Sequence, residues 1–447
     1  MSSAVRVPVR MPRRVAVASA IGTTVEWYDF YLYATATALV FNTLFFPGVS
    51  STAGTLAAFA TYAAGFGARP IGAVVAGHIG DRVGRKAVLV GALVTMGAAT
   101  TLIGVLPTFA TVGVLAPTLL VVLRVVQGLA VGAEWGGAAV LSAEHAAPGR
   151  RGLVGSFTQI GSPAGMLLAT GSFFLVRSLT DSAAFLAWGW RLPFLASAVL
   201  VVVGLIVRLQ LHDGPEFAAL RASGRVAKLP VVEALRGAPR SVALTTGLRI
   251  SQIALFVIVT TYGLTYISQR LGSGSSAGLL AVVVTSALGL ATTPLWAALS
   301  DRVGRRRPTL FGALAGLVGL ALFFGAVETG STWLIVLAAV VALNVAHDAM
   351  YGPQAAWFAE LFDARVRYSG ASLGYQIGSV LGGGFSPLVA AALVALTGAP
   401  WAVVAYLGVL TAITVASAGL ARETAFDPGP ADPEITPSEA APVGTQV

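Results

Sequence analysis

Apolar runs of transmembrane length alternate with short polar links over almost the whole chain. Twelve can be placed, at roughly 15–45, 53–77, 87–106, 113–143, 153–176, 188–210, 241–268, 277–299, 308–327, 333–357, 369–396 and 399–421. A helix crosses about 30 Å of hydrocarbon with about 20 residues, so each run is long enough to span a bilayer. Runs of this length without period-two alternation are helical. The pattern predicts an all-α integral membrane protein of twelve transmembrane helices. Residues 1–14 precede the first run, 212–240 form a long basic link, and 422–447 are Pro-rich and acidic with little to bury, which predicts a disordered tail.

Composition agrees with a membrane protein. Of 447 residues, 56% are hydrophobic and 11% charged, against about 25% charged in a soluble domain, and mean hydropathy is +0.81. Cysteine is absent, which excludes disulfides and Cys-ligated metals. The two lysines, Lys86 and Lys228, stand in no phosphate-binding loop, so an ATP-driven pump does not fit. No cofactor or metal is expected, and no clustered nucleophile marks an enzyme. The opening RRVAVASAIG lacks a cleavage site and runs into Glu26 and Asp29, so a removable signal is not expected either.

A net charge of +9 could point to nucleic acid, but the placement of the basic residues argues otherwise. With Arg208 counted in the loop that follows it, 22 of the 28 fall on the side shared by the N-terminus and every second loop. Two, Arg177 and Arg270, fall on the other side, and four lie within spans. That asymmetry is the positive-inside rule for a chain with both termini in the cytoplasm.

The stretch GHIGDRVGRK (Gly77–Lys86) returns as ALSDRVGRRR (Ala298–Arg307), with DRVGR identical at a spacing of 220 residues. A second echo pairs Glu144 and Arg151 with Glu360 and Arg367, each seven residues apart. Both echoes lie on the predicted cytoplasmic side, so the halves are parallel repeats of six helices around a central cavity: 15–211 and 241–421, joined by 212–240. Such halves suit a transporter that rocks one against the other. In the repeated loops an Asp can pair with an Arg or cap a helix N-terminus. The expected gating residues are Asp81, Arg82 and Arg85, and Asp301, Arg302 and Arg305.

The duplicated loop resembles the signature of the major facilitator superfamily over nearly the whole chain. Further stretches, EWYDFYLYATATALVF, ARPIG, RVVQGLAVGAEWGGAAVL, WGWRLPF and ELFDARVRYSGASLGYQ, resemble its metabolite:proton symporter branch, and the first half is similar to shikimate-type transporters. One departure is Ala297, where the loop pattern has its leading glycine. The resemblance implies proton-coupled uptake and leaves the substrate open; four arginines within the spans, against two carboxylates of the first helix that protonation can neutralise, suit a small organic acid, and a monomer in the inner membrane is expected. A proline or betaine carrier is the alternative, with Trp27, Trp135 or Tyr351 as cation–π faces, and export remains open. The tail has no heptads, which counts against an osmosensing carrier.

Glu26, Asp29 and Tyr33 stand at i, i+3 and i+7 on one stripe of the first helix. Glu26 lies about 18 Å beyond Arg14, near the bilayer midplane where coupling sites sit. A buried carboxylate that can be neutralised suits proton coupling; permanent pairing with arginine is the alternative. Arg124 and Gln127 share a face of the fourth helix, where Arg124 is the expected counter-charge and Glu134 a further coupling candidate, beside a ridge of Gly128, Gly132 and Gly136. The resemblance links the Arg to proton transfer. Arg191 either binds an anion, as the resemblance implies, or anchors the interface beside Trp188 and Trp190. Arg69 and Arg249 lie nearer the cytoplasmic ends and are expected to snorkel or brace the gate, though Arg249 shares a face with Gln252. Asn344, His347, Asp348 and Tyr351 form a polar patch on the tenth helix, and Gln159, Tyr375 and Gln376 could bond a polar substrate.

Overall fold

Helices account for nearly all of the described residues, and no strand occurs among them. The computed structural model describes residues 13–48, 50–83, 85–132, 146, 149–209, 235–272, 276–363 and 366–426, apart from the side chains of 13–20, 76–87, 89, 207–209 and 368. Twelve long helices run in sequence through these residues. They are α1 (13–45), α2 (Ser51–Val83), α3 (Arg85–Val105), α4 (Leu115–Val131), α5 (Arg151–Leu179) and α6 (Ser182–Gly189 and Arg191–Leu209, meeting at 44°). The second six are α7 (Pro239–Leu271), α8 (Ala277–Val303), α9 (Arg306–Glu328), α10 (Thr332–Glu360), α11 (367–397) and α12 (Trp401–Leu420). Seven, α5 and α7 to α12, are long and apolar enough on their own to cross a bilayer, and α6 joins them when its bent halves are taken together.

Most ends fall within a few residues of the apolar runs, but helix often outlasts the apolar stretch. Helix α2 continues to Val83 and α8 to Val303, because polar residues at a helix end cost nothing once they leave the lipid. Gly304, at φ 95°, stops α8 where a side chain would be strained. Pro239 opens α7 at a position where its missing N–H is not needed. Most of the 212–240 linker, and residues 133–145 of the expected fourth span, lie outside the described residues, as does Gly136.

Small residues let the backbones meet. A Cβ on Gly128 would run into the carbonyl of Gly65, and one on Gly132 into that of Arg69, so α4 lies directly against α2. Gly374, Gly378 and Gly382 do the same for α11 against Thr245, Arg249 and Ile250 of α7, a ridge the sequence reading did not single out. Single π-helical turns interrupt α1 (Thr37–Phe41) and α7 (Ile258–Tyr262) at nearly the 220-residue spacing of the repeated loops, and another, Val341–His347, ends at the polar patch of α10. Such turns redirect side chains and gather at functional sites. The outer faces, with Leu295, Val318 and Val409 exposed, are apolar as a lipid-facing surface must be.

The first residues of the expected tail are ordered, which corrects its start at 422. Glu423 accepts the N–H groups of Arg305 (2.8 Å) and Arg306 (3.0 Å) at the start of α9. Thr424 bonds Glu360 at 2.5 Å, and Trp357 donates to the Arg422 carbonyl at 3.0 Å. Burial alone would push the Glu423 carboxyl up, but these backbone donors outweigh it and hold it below the usual glutamate range.

Candidate functional site

Polar side chains meet between the two halves, in a core otherwise filled by aromatic rings. Trp27 stacks on Tyr31 at 5.2 Å, and Tyr31 reaches Phe256 of the second half at 5.5 Å. Asp29 is fully buried; Ser197 of α6 donates to one carboxylate oxygen at 2.6 Å, and the other oxygen has no partner. Arg124 lies flat over Tyr33, 4.2 Å from the ring centre, and donates to Gln127 at 3.3 Å. Gln127 in turn donates to Thr100 at 2.6 Å, and the hydroxyls of Tyr33 and Thr61 share a hydrogen bond of 2.6 Å. Asp29, Arg69, Arg124 and Gln127 line one narrow cavity.

The expected Asp29–Arg124 pair is not formed: the two charges share a cavity wall without an ion pair within 4 Å. Gly65 leaves the space along which the Arg124 side chain runs, and the faces of Phe30, Tyr33 and Tyr62 meet its charge in place of a carboxylate. Nor do Glu26 and Asp29 share one pocket. Glu26 lines a second, narrow cavity with Trp27, Arg69, Tyr375 and Gln376. Glu134 lies outside the described residues.

In the second half, buried polar groups form a continuous chain. Arg249 donates to Tyr375 (2.7 Å), Gln354 (3.0 Å), Gln252 (2.5 Å) and Ser379 (3.3 Å). Gln252 bonds His347 Nε2, and His347 Nδ1 meets Asp348 at 2.9 Å. The other Asp348 oxygen takes Thr292 of α8 and, at 3.3 Å, Asn344. Tyr351 stacks on His347 at 5.2 Å, and its carbonyl accepts from Gln159 of α5 at 3.1 Å, a bond between the halves. The polar patch of α10 is thus wired through α7 to α11. A 220-residue offset relates Asp29 to Arg249, Arg124 to Asn344 and Gln127 to His347, so a carboxylate of one half matches an arginine of the other.

Two expectations about arginines are corrected. Arg69 and Arg249 do not snorkel: they are 3% and 1% exposed, and Arg69 lies against the rings of Phe30 (4.4 Å) and Phe66 (4.3 Å). Arg69, absent from the expected site, borders both cavities. Its signal in the sequence was a charge inside an apolar span. Arg191 reaches neither cavity and donates to the Gly104 (3.0 Å) and Leu106 (2.7 Å) carbonyls at the end of α3 while packing on Trp190. It fastens α6 to α3. Arg191→Gln is therefore expected to lower the melting temperature, at a cost of about 1–3 kcal/mol, with ligand affinity unchanged; a change in affinity at constant stability would restore it to the binding site.

On the side of the repeated loops, Asp301 of the second half caps α5 of the first. Its two oxygens accept the N–H groups of Gly152 (2.8 Å) and Leu153 (2.9 Å), where a helix N-terminus favours negative charge. Arg305, 1% exposed, bridges Asp301 (2.8 Å) and Glu360 (3.2 Å) and also donates to Ser300. Arg302 is exposed and makes no hydrogen bond or ion pair among the described residues. The side chains of Asp81, Arg82 and Arg85 lie outside the described residues.

Comparison with known proteins gives concordant results. Residues 15–238 match the family "Sugar (and other) transporter", and residues 244–446 match "Major Facilitator Superfamily". The Escherichia coli K12 "Shikimate transporter" is 45% identical over 87% of this chain and 89% of its own. The "Inner membrane metabolite transport protein YhjE" of the same organism is 40% identical over 93% and 96%. A partially occluded, inward-open structure of the xylose transporter XylE from E. coli superposes with a TM-score of 0.71 at 18% identity, covering 92% of this chain and 98% of that one.

Proposed function

From the premise that the chain belongs to the major facilitator superfamily, as a multi-pass membrane transporter and not an enzyme, we propose that it couples proton entry to uptake of a small organic acid of the shikimate type. The observation that carries the coupling is Asp29: a carboxylate fully buried inside the first half, with one oxygen held by Ser197 and the other without a partner. Charge on such a group is costly in hydrocarbon, and binding a proton removes the cost. The 45% identity to a shikimate transporter supports a carboxylate as the substrate, and the arginines between the halves suit an anion.

Alternating access follows from the two sets of contacts. Closure on the loop side is held by Asp301 on the N-terminus of α5 and by Arg305 between Asp301 and Glu360. The relay from Tyr375 through Arg249 and Gln252 to His347 and Asp348 braces the second half against the substrate cavity. The transporter works as a monomer, with both termini in the cytoplasm, as the distribution of arginines supports. In proteoliposomes with an inward proton gradient, shikimate uptake is expected, and a protonophore is expected to abolish it. Uptake at full rate with the gradient collapsed would overturn the symport reading, and uptake of glycine betaine in place of shikimate would overturn the organic-acid reading.

A further inference from the structure

Resting on the organic-acid reading above, we propose that Arg69 receives the substrate's carboxylate in the cavity between α1, α2 and α11, in competition with Glu26. Four arginines lie within the spans. Arg249 donates to four side chains and Arg191 holds two carbonyls, while Arg124 gives one bond to Gln127 over the ring of Tyr33 and keeps a buried Nε without an acceptor. Arg69 alone makes no hydrogen bond or ion pair among the described residues; it lies against the rings of Phe30 and Phe66. Its guanidinium borders both cavities, and a guanidinium carries donors in the fork that matches a carboxylate.

The rest of the wall is built for the same ligand. Trp27 Nε1 is buried without an acceptor, and the Gln376 amide oxygen is buried without a donor. Leaving such groups unmet is costly, so a ligand that bonds them is favoured. Tyr375 brings the second half to the cavity and accepts from Arg249 at 2.7 Å, so a second positive charge stands one hydrogen bond away. A carboxylate on Arg69 would therefore touch α1 and α2 of one half and α11 of the other, the contact needed to draw the halves together. Glu26 shares the wall and attracts Arg69. As a second anion in the same wall it opposes an entering carboxylate, so removing its charge favours the ligand.

The test is ligand binding to the purified full-length protein, by calorimetry, with shikimate, its methyl ester and glycine betaine as probes. The wild type is expected to bind the acid and not the ester. Arg69→Gln should weaken shikimate binding by at least ~30-fold, the loss of a charge-assisted bidentate contact, and Arg69→Lys by less. Glu26→Gln should tighten it several-fold, since the competing anion is gone. Arg69→Gln protein that melts like wild type and binds shikimate equally well overturns the proposal. Should Arg69→Gln fail to fold, Glu26→Gln and Gln376→Glu decide: the first must tighten and the second weaken binding, and unchanged affinity in both overturns it. Betaine bound in place of shikimate, and lost in Arg69→Gln, refutes the organic-acid reading while leaving Arg69 as the carboxylate receptor. Betaine binding indifferent to Arg69→Gln overturns both.

Discussion

Asp29→Asn is expected to remove concentrative uptake altogether while leaving exchange of substrate across the membrane. For one proton carried per substrate, each unit of pH difference is worth about 1.4 kcal/mol, which supports about tenfold accumulation. An asparagine has the shape of a protonated aspartate but no proton to release, so the variant should equilibrate substrate at a ratio of about one. The geometry favours a clean result. Ser197 donates to Asp29 at 2.6 Å and can donate equally to an amide oxygen, so α1 and α6 stay joined. Counterflow, in which labelled substrate exchanges against unlabelled with no net proton movement, should persist in Asp29→Asn. The outcome that sinks the assignment is a variant that still accumulates substrate against its gradient and still responds to pH. Glu26→Asn in the same assay separates the two carboxylates: it should change affinity through Arg69 but keep accumulation, because Glu26 and Asp29 border different cavities.

That separation marks the limit of what the sequence reveals. The twelve apolar runs, the two parallel halves and the polar stripe on α1 are all legible in it, because lipid length and helical period act locally. Which group meets which is not. Glu26 and Asp29, three residues apart, point about 60° apart around the helix axis, enough to send one to α2 and α11 and the other to α6. The misplacement of Arg69 has a similar cause. Its apolar run ends near 77, which puts Arg69 close to the membrane surface, but Phe30 of α1 lies against it and α11 brings Tyr375 and Gln376 to the same cavity, contacts far away in the sequence. Arg249 shows a third kind of limit. Its sharing of a face with Gln252 is a local fact, whereas its bonds to Gln354, Tyr375 and Ser379 depend on residues more than 100 positions away, brought in where α11 packs its glycine ridge on α7.

Arg305→Met should cause the largest loss of closure on the loop side. Arg305 is 1% exposed and sits between two carboxylates whose side chains are 6% and 7% exposed, Asp301 and Glu360. Burial works to strip its charge, but Glu360 and then Asp301 outweigh that and hold its pKa above the usual arginine value, so it stays charged at any pH the protein meets. Removing it leaves two buried carboxylates without a counter-charge, at a cost of about 3–5 kcal/mol. The cheapest relief is to part the halves so that water reaches Asp301, which breaks its bonds to Gly152 and Leu153. The absence of cysteine makes this measurable, since a single introduced thiol reports alone. Gly155 of α5 faces Ala355 of α10, and a Cβ placed on it would stand 3.4 Å from the alanine methyl, an ordinary contact. A Gly155→Cys protein should react slowly with a maleimide, and Arg305→Met should speed the reaction by about 100-fold, the population shift that ~3 kcal/mol allows. Adding Glu360→Gln to Arg305→Met should restore much of the protection by removing one orphaned charge. Labelling that is equally slow in all three proteins would mean that Arg305 stabilises the second half alone and holds no gate.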